Sequence, residues 1–279
     1  MNPELPQSHA FDAPGMNTLF LIRLRHPDPQ AAATLASNCF QQLEALEADL
    51  SRFRPDSDIS RINKLNTGDS MLLNEATYEC LKIALDASAT TAGLFDVTLG
   101  SHTQSTELPQ TVSPLSGSFH LSPNRPEIIC EEAGRQIDLG GIGKGFALDK
   151  MATSLADFKV QSALLSSGAS THLAFGSYLW PFHLRGDQES LRIDLSNQAL
   201  SSSGIGEQGA HVIHPDTGTS PVYHFKRIWV TAPSAAFADA CSTACLLMDL
   251  SEIRSFALAH QSAIKIYAEP VNDQAIHVF

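Results

Sequence analysis

At 279 residues the chain is long enough to bury a full core as one large domain or two small ones. Hydrophobic residues make up 43% and charged residues 17%, which excludes a disordered chain. The formal net charge of −12 argues against nucleic acid or an anionic membrane as a general partner, so a polyanionic ligand would need local help from a metal or from backbone donors.

Residues 1–15 are polar, contain three prolines and read as a flexible N-terminal arm, with 16–279 as a single domain. They carry neither a basic n-region nor an apolar h-region, so they do not read as a signal peptide. Leu19 to Leu24 is an apolar run that predicts a strand. Asp28-Pro29 reads as an N-cap followed by Pro at the first helical position. Leu35, Cys39, Leu43, Leu46 and Leu50 then line one face of a long helix. In the following stretch, LSRFRPDSDISRIN, Phe53 taken alone reads as a core aromatic. Ser57, Ser60 and Asn63 read as loop and capping residues. Asn74 is expected to cap a second helix with Tyr78, Leu81 and Leu85 on one face. That helix ends at TAGLFDVTLG, where Asp96 and Thr98 read as turn residues. Ile128 to Cys130 and Ile137 suggest a hairpin.

The stretch Ile137 to Lys150, IDLGGIGKGFALDK, is the centre of the sequence. Gly141, Gly143 and Gly145 alternate through a short loop, and Leu148, Met151, Leu155 and Phe158 continue at helical spacing. Backbone N–H groups at a strand-to-helix junction can face an anion. Both standard phosphate motifs fail: Asp138 stands where a P-loop needs its first Gly, and Phe146 where a Rossmann fingerprint needs its last. Spacing alone leaves a tight turn and a phosphate site equally open.

Ser162 to Ser166 predicts a buried strand running into Ser167-Gly168-Ala169-Ser170. Trp180 to Arg185 and Leu191 to Leu195 predict consecutive antiparallel strands. HVIHPDTG, residues 211–218, is a turn signal. Its two histidines, His211 and His214, lack a third ligand at metal spacing. Trp229 to Ala232 reads as a strand, and Ser234 as the N-cap of a helix that buries Phe237, Cys241, Cys245 and Met248. Asp239 and Thr243, four apart, stack on another face and by themselves read as a surface pair. A helix near Ile253 to Leu258 and strands at Ala263 to Tyr267 and Ile276 to Phe279 close the chain. Irregular alternation of strands with a few long helices points to an α+β fold rather than βαβ repeats. The five cysteines, Cys39, Cys80, Cys130, Cys241 and Cys245, show no zinc-type spacing and read as free thiols in a reducing compartment.

DLGGIGKGFALDK resembles the signature D-L-G-G-I-A-K-G-Y-A-x-D of the ApbE-type flavin transferases, and Ala238 to Ala244, ADACSTA, resembles their A-D-A-x-x-T-A. Further segments follow in family order: Met16-Asn17-Thr18 for M-G-T, LSRFRPDSDISRIN, GLFDVTLG, Leu200 to Gly204 for a-T-S-G, and HVIHPDTG for H-[IL]-I-D-P-x-T-G. The resemblance implies a T-fold-like α+β architecture of two packed lobes of mostly antiparallel sheet with long helices, and a flavin cleft between them. It implies Mg²⁺-dependent cleavage of FAD, with FMN attached through a phosphoester to a Thr or Ser of a target flavoprotein. It places Mg²⁺ on Asp239, Thr243 and the backbone of Gly143. It places FAD on Met16, Thr18, Phe53, Asp96, Asp138, Gly141, Lys144, Ser167 and Gly168. His211 is the implied general base, and Lys144 a second cation at the reacting phosphates. The alternatives are an FAD pyrophosphatase giving FMN and AMP, or a non-catalytic FAD-binding protein. The chain departs from the pattern at Asn17 and Gly143, in the S-G-A-S segment where the family has G-G-[DN], and at His214 in place of Asp. Many members of this family are exported lipoproteins; with no cysteine before Cys39, this chain is expected in the cytoplasm, without membrane insertion.

Overall fold

In the computed structural model, which describes residues 7–101, 116–205 and 212–279, the chain opens with a hairpin. Strand β1, Ser8–Gly15, pairs antiparallel with β2, Thr18–Arg25, through a two-residue turn. Met16 and Asn17 both hold positive φ, 46° and 61°, as the tightest hairpin turns require. So residues 8–15 are a sheet strand where an arm was expected: the alternating exposure of SHAFDAPG places Phe11 and Ala13 on the covered face. Residues 1–6 of that arm lie outside the described residues.

Helix α1, Pro29–Leu50, starts as expected, with Asp28 Oδ1 accepting from the Gln30 amide at 2.8 Å. A short α2, Asp58–Ile62, is capped by Ser57, and β3, Ser70–Leu72, leads to α3, Glu75–Thr90. Asn74 occupies the cap position of α3, but its side chain donates to Asp49 instead of capping. β4, Ser118–Leu121, and β5, Glu127–Glu132, form with β3 a three-stranded sheet. The hairpin partner of Ile128 to Cys130 is therefore β4 and not Ile137.

Helix α4, Gly143–Asp157, leads into β6, Ser162–Ser167, and β7, Thr171–Gly176. The hairpin β8, Trp180–Arg185, and β9, Ser190–Leu195, follows, then β10, Gln198–Gly204, and β11, Phe225–Ala232. Helices α5, Ala235–Leu246, and α6, Leu250–His260, precede β12, Lys265–Pro270, and β13, His277–Val278.

The main sheet runs β1-β2-β6-β7-β10-β11-β12-β13, with every neighbouring pair antiparallel. This is the expected α+β arrangement. Alternation divides its two faces. Ala163, Leu165, Ala199, Ile228 and Val230 face the helices, while Leu164, Leu200, Trp229 and Tyr267 join Trp180, Leu184 and Leu195 of the β8–β9 hairpin in a second core. Burial on both faces is why every residue of β6 is buried, serines included, and why β11 is buried from Ile228 onward. Helix α5 is buried on nearly every side, against α4, β10 and β11. No helix among the described residues is long and apolar enough to cross a membrane.

Candidate functional site

The loop before α4 is held from two sides. The Asn63 carboxamide accepts from the Ile137 amide at 2.6 Å and donates to the Ile137 carbonyl at 2.9 Å, pairing with the backbone as a strand would. On the other side the Asp138 amide donates to Val97 O, and Gly100 N to Gln136 O, both at 2.7 Å. The GLFDVTLG segment is thus docked along the entry to the loop. The helix starts at Gly143, two residues earlier than Gly145, so Lys144 lies in its first turn. Lys144 Nζ turns back and donates to Gly140 O at 2.7 Å. Asp138 takes the Gly140 amide on Oδ1 and an ion pair from Arg52 at 2.8 Å on Oδ2.

Two cavities meet at this ion pair. One, of about 130 Å³, is lined by Met16, Leu50, Phe53, Leu139, Gly143 and Lys144. The other, of about 360 Å³, is lined by Phe95, Asp96, Gly141, Ser203, Asp239 and Thr243, with Val212 and Ile213 at one side. Arg52, Asp138 and Gly140 belong to both. Phe53 is 81% exposed, so it is a rim residue of the smaller cavity and not a core aromatic; RFRPDSD holds it outside the α1 packing face, and the Arg52 guanidinium stacks on its ring. Asp96 Oδ1 accepts from the Thr98 amide and hydroxyl, the expected turn, while Oδ2 pairs with Arg135 at 2.7 Å.

Asp239 is only 5% exposed, which overturns the surface-pair reading: α5 is buried on the side that carries it. Its Oδ1 accepts from Ser201 at 3.0 Å and Thr171 at 3.3 Å, from two adjacent strands. Its Oδ2 is buried, and no hydrogen bond of normal geometry reaches it from the described residues. Burial pushes the Asp239 carboxyl pKa up; the Lys144 charge, Ser201 and the nearby Gly145 N–H pull it down. A buried carboxylate with one bare oxygen calls for a cation or a proton. Thr243 Oγ1 donates to Asp239 O, one turn back, and lies 3.4 Å from Ser203 Oγ. A side chain at Gly141 would meet Thr243 Oγ1 at 3.4 Å and the Phe95 ring at 3.2 Å, so Gly141 keeps the space above Thr243 open. No group of three or more His, Cys, Asp or Glu that could hold a metal exists among the described residues. A cation here would therefore rest on one carboxylate, neutral oxygens and ligand phosphates, a donor set that fits Mg²⁺.

Met16, Phe53, Asp138, Gly143 and Lys144 thus share the smaller cavity, and Asp96, Asp138, Gly141, Asp239 and Thr243 the larger. Gly143 does not line the wall that holds Asp239. Thr18, Ser167 and Gly168 form a separate cluster at the β2 and β6 ends: Gly168, at φ +56°, leaves room for the Thr18 hydroxyl, and Ser167 is fully buried. His211 lies outside the described residues, although its neighbours Val212 and Ile213 line the larger cavity. His214 holds the following turn, its Nδ1 accepting from the Asp216 amide at 3.2 Å. Sequence reasoning missed Arg52, Thr171 and Ser201. For Arg52, the position beside Phe53 was a usable signal; Thr171 and Ser201 gave none, because their approach to Asp239 is long-range.

Residues 16–268 match the model of the ApbE family. The chain is similar to FAD:protein FMN transferase of Buchnera aphidicola subsp. Schizaphis graminum, 23% identical over 265 residues covering 83% of this chain and 78% of the relative. It is similar to FAD:protein FMN transferase of Salmonella typhimurium, 23% identical over 283 residues, 87% and 79% of the two chains. Among solved structures, the apo form of Pseudomonas stutzeri flavinyl transferase ApbE superposes with a TM-score of 0.86 at 22% identity, covering 100% of this chain and 96% of that one. Flavin transferase ApbE from Vibrio cholerae gives 0.82 at 20%, covering 98% and 97%.

Proposed function

The chain belongs to the ApbE family, and on that premise we propose that it is an FAD:protein FMN transferase, which attaches FMN through a phosphoester to a Thr or Ser of an acceptor flavoprotein and releases AMP. The observation that carries this reading is Asp239. Its buried Oδ2 takes no hydrogen bond of normal geometry from the described residues, and the residue lines a cavity that adjoins, across Arg52–Asp138, a second cavity rimmed by an exposed aromatic. That arrangement suits a ligand with a flat ring at one end and a charged diphosphate near its middle.

Asp239, the Thr243 hydroxyl and the Gly143 carbonyl would hold Mg²⁺. When bound, the ion neutralises the pyrophosphate and the departing AMP. Met16 and Phe53 flank the ring, and Thr18, Ser167 and Gly168, outside both cavities, support it from the β2 and β6 ends. Asp96, Asp138 and Gly141 line the path of the diphosphate and adenosine, and Lys144 adds a second positive charge. His211 takes the proton from the acceptor hydroxyl as that oxygen attacks the FMN phosphorus. The new phosphoester forms as the bridging P–O bond breaks, and AMP leaves with that oxygen. Residues 16–279 act as one domain in this reading, and the protein works in the cytoplasm.

Co-expression with an acceptor flavoprotein, read by mass spectrometry, tests it. The acceptor gains one FMN on a Thr or Ser, and AMP appears in equal amount. FMN and AMP without labelling would mean a hydrolase; intact bound FAD would mean a binding protein. Asp239→Asn abolishes metal-dependent cleavage while leaving the fold intact, and normal turnover at low Mg²⁺ would refute the metal assignment. His211→Ala keeps FAD affinity near wild type and lowers transfer by on the order of 100-fold or more, the usual contribution of a positioned base. His214→Ala is the milder variant; the reverse order would move the base to His214.

A further inference from the structure

Asp149 lies two turns along α4 from Gly143, outside both cavities, and belongs to no ligand set described above. Its carboxylate nevertheless does specific work on another helix. Oδ1 accepts from the Ala235 amide at 2.8 Å; Oδ2 accepts from the Ala236 amide at 2.9 Å and from the Ser234 hydroxyl at 2.7 Å. These groups are the N-terminus of α5. Ser234 is already the ordinary cap of that helix, its Oγ accepting from Phe237 N. Asp149 therefore adds a second cap supplied from a different element, and it satisfies two amides that α5 itself cannot.

One turn away the same two helices touch through their backbones. A side-chain carbon at Gly145 would lie 2.3 Å from Ala235 O. Contact at Gly145–Ala235 and hydrogen bonds at Asp149–Ala235–Ala236 are two fixed points between α4 and α5. Two points remove the freedom of one helix to slide or roll on the other. Asp239 is one turn beyond Ala235, and Thr243 one turn beyond that. Gly143 and Lys144 are in the first turn of α4. The proposed Mg²⁺ ligands are thus divided between the two helices that Asp149 joins.

We infer that Asp149 is a positioning residue for the metal site: it fixes the register of α5 against α4, and with it the spacing of Asp239 and Thr243 from the Gly143 carbonyl in the first turn of α4. This rests on the transferase reading above for the identity of the metal site. A ligand set split across two elements loses affinity when their spacing loosens, by on the order of 10-fold or more for supporting residues.

The test measures Mn²⁺ binding to the full chain by electron paramagnetic resonance, together with Tm, in the absence of FAD turnover. Asp149→Ala and the milder Asp149→Asn are compared with Ile253→Ala, a core truncation in α6 that lines neither cavity. Expected is weaker Mn²⁺ binding by about 10-fold or more in the Asp149 variants, at a Tm no lower than that of Ile253→Ala, whose Mn²⁺ affinity stays within about twofold of wild type. If Asp149→Ala does not fold, Asp149→Asn carries the test. Asp149 variants that lose Tm but bind Mn²⁺ as wild type does would reduce Asp149 to a structural cap and overturn the inference alone. A wild-type chain that binds no Mn²⁺ would overturn the metal reading and this inference with it.

Discussion

Replacing Gly145 with Ala tests how tightly α4 and α5 are joined, because two opposed effects can be weighed from the structure. Alanine is the better helix former, by about 1 kcal/mol over glycine in a helix interior. Against this, the new methyl would sit 2.3 Å from Ala235 O, 2.5 Å from Ala235 C and 2.7 Å from Ala236 N. All three are backbone atoms, so no side chain can turn away. Restoring ordinary contact requires the helices to part by roughly 1 Å, and a gap of that size forfeits a quarter to a half of the dispersion attraction across the crossing. Overpacking of this kind costs about 1–3 kcal/mol. Parting the helices also stretches the Asp149 hydrogen bonds, which adds roughly 0.5–2 kcal/mol for a lost cap. The net expectation is destabilisation by roughly 0.5–4 kcal/mol, with the steric effect the winner. Gly143→Ala is the internal control: its nearest neighbour is Leu139 Cβ at 3.6 Å, an ordinary contact, so stability stays level or rises by up to about 1 kcal/mol. Urea unfolding of both variants, compared at equal m-value, reads the difference. Equal stability of Gly145→Ala and Gly143→Ala would refute the close crossing of α4 and α5.

Asn63→Ala removes both hydrogen bonds from the Ile137 backbone, each worth about 1–3 kcal/mol when the abandoned group stays buried, and should lower Tm by roughly 5–15 °C; a shift below about 2 °C would mean water replaces the side chain at no cost. His172 gives a pH dependence. Its Nε2–H donates to the Ala169 carbonyl at 3.3 Å, so the neutral ring accepts from Ser166 on Nδ1 at 2.9 Å, and burial pushes its pKa down to about 4. A pKa lowered by folding stabilises the protein above the unfolded value of 6.5, and that contribution is lost as pH falls from 6.5 towards 4. With one ring edge near solvent, the loss should be on the order of 2 kcal/mol. In urea titrations across this range His172→Gln should show the shallower decline; parallel curves would remove His172 as the cause.

The fold was legible where periodicity was clean. α1 declared itself through Asp28-Pro29 and a leucine stripe, and β8–β9 through two alternating runs. The metal-site candidates were legible for another reason: Asp239 and Thr243 lie within seven contiguous residues of a signature. On local physics alone Asp239 pointed the wrong way, because an acidic residue on a helix is normally solvated, and it is the Lys144 charge and the Ser201 and Thr171 hydroxyls that make its burial tolerable. Those partners come from 68 and 38 residues away, and the Asn63–Ile137 pairing spans 74; no window along the sequence contains both halves of such contacts. β1 was missed because Pro14 and the polar residues in Ser8–Gly15 mask an alternation that only an edge strand tolerates. Ile128 to Cys130 was given the wrong partner because β4, SFHL, carries too few apolar residues to announce itself.

The Arg52–Asp138 pair, which stands where the two cavities meet, also bears on how a two-headed ligand would arrive and leave. Once one head is seated, the other searches only the short distance across the pair, at an effective concentration in the millimolar range. Each half can then bind weakly while the whole binds well. Cutting the tether between the heads ends that advantage at once, because two separate fragments must each hold on alone. In the proposed reaction, chemistry and release would be coupled by geometry, because breaking the ligand would itself loosen it.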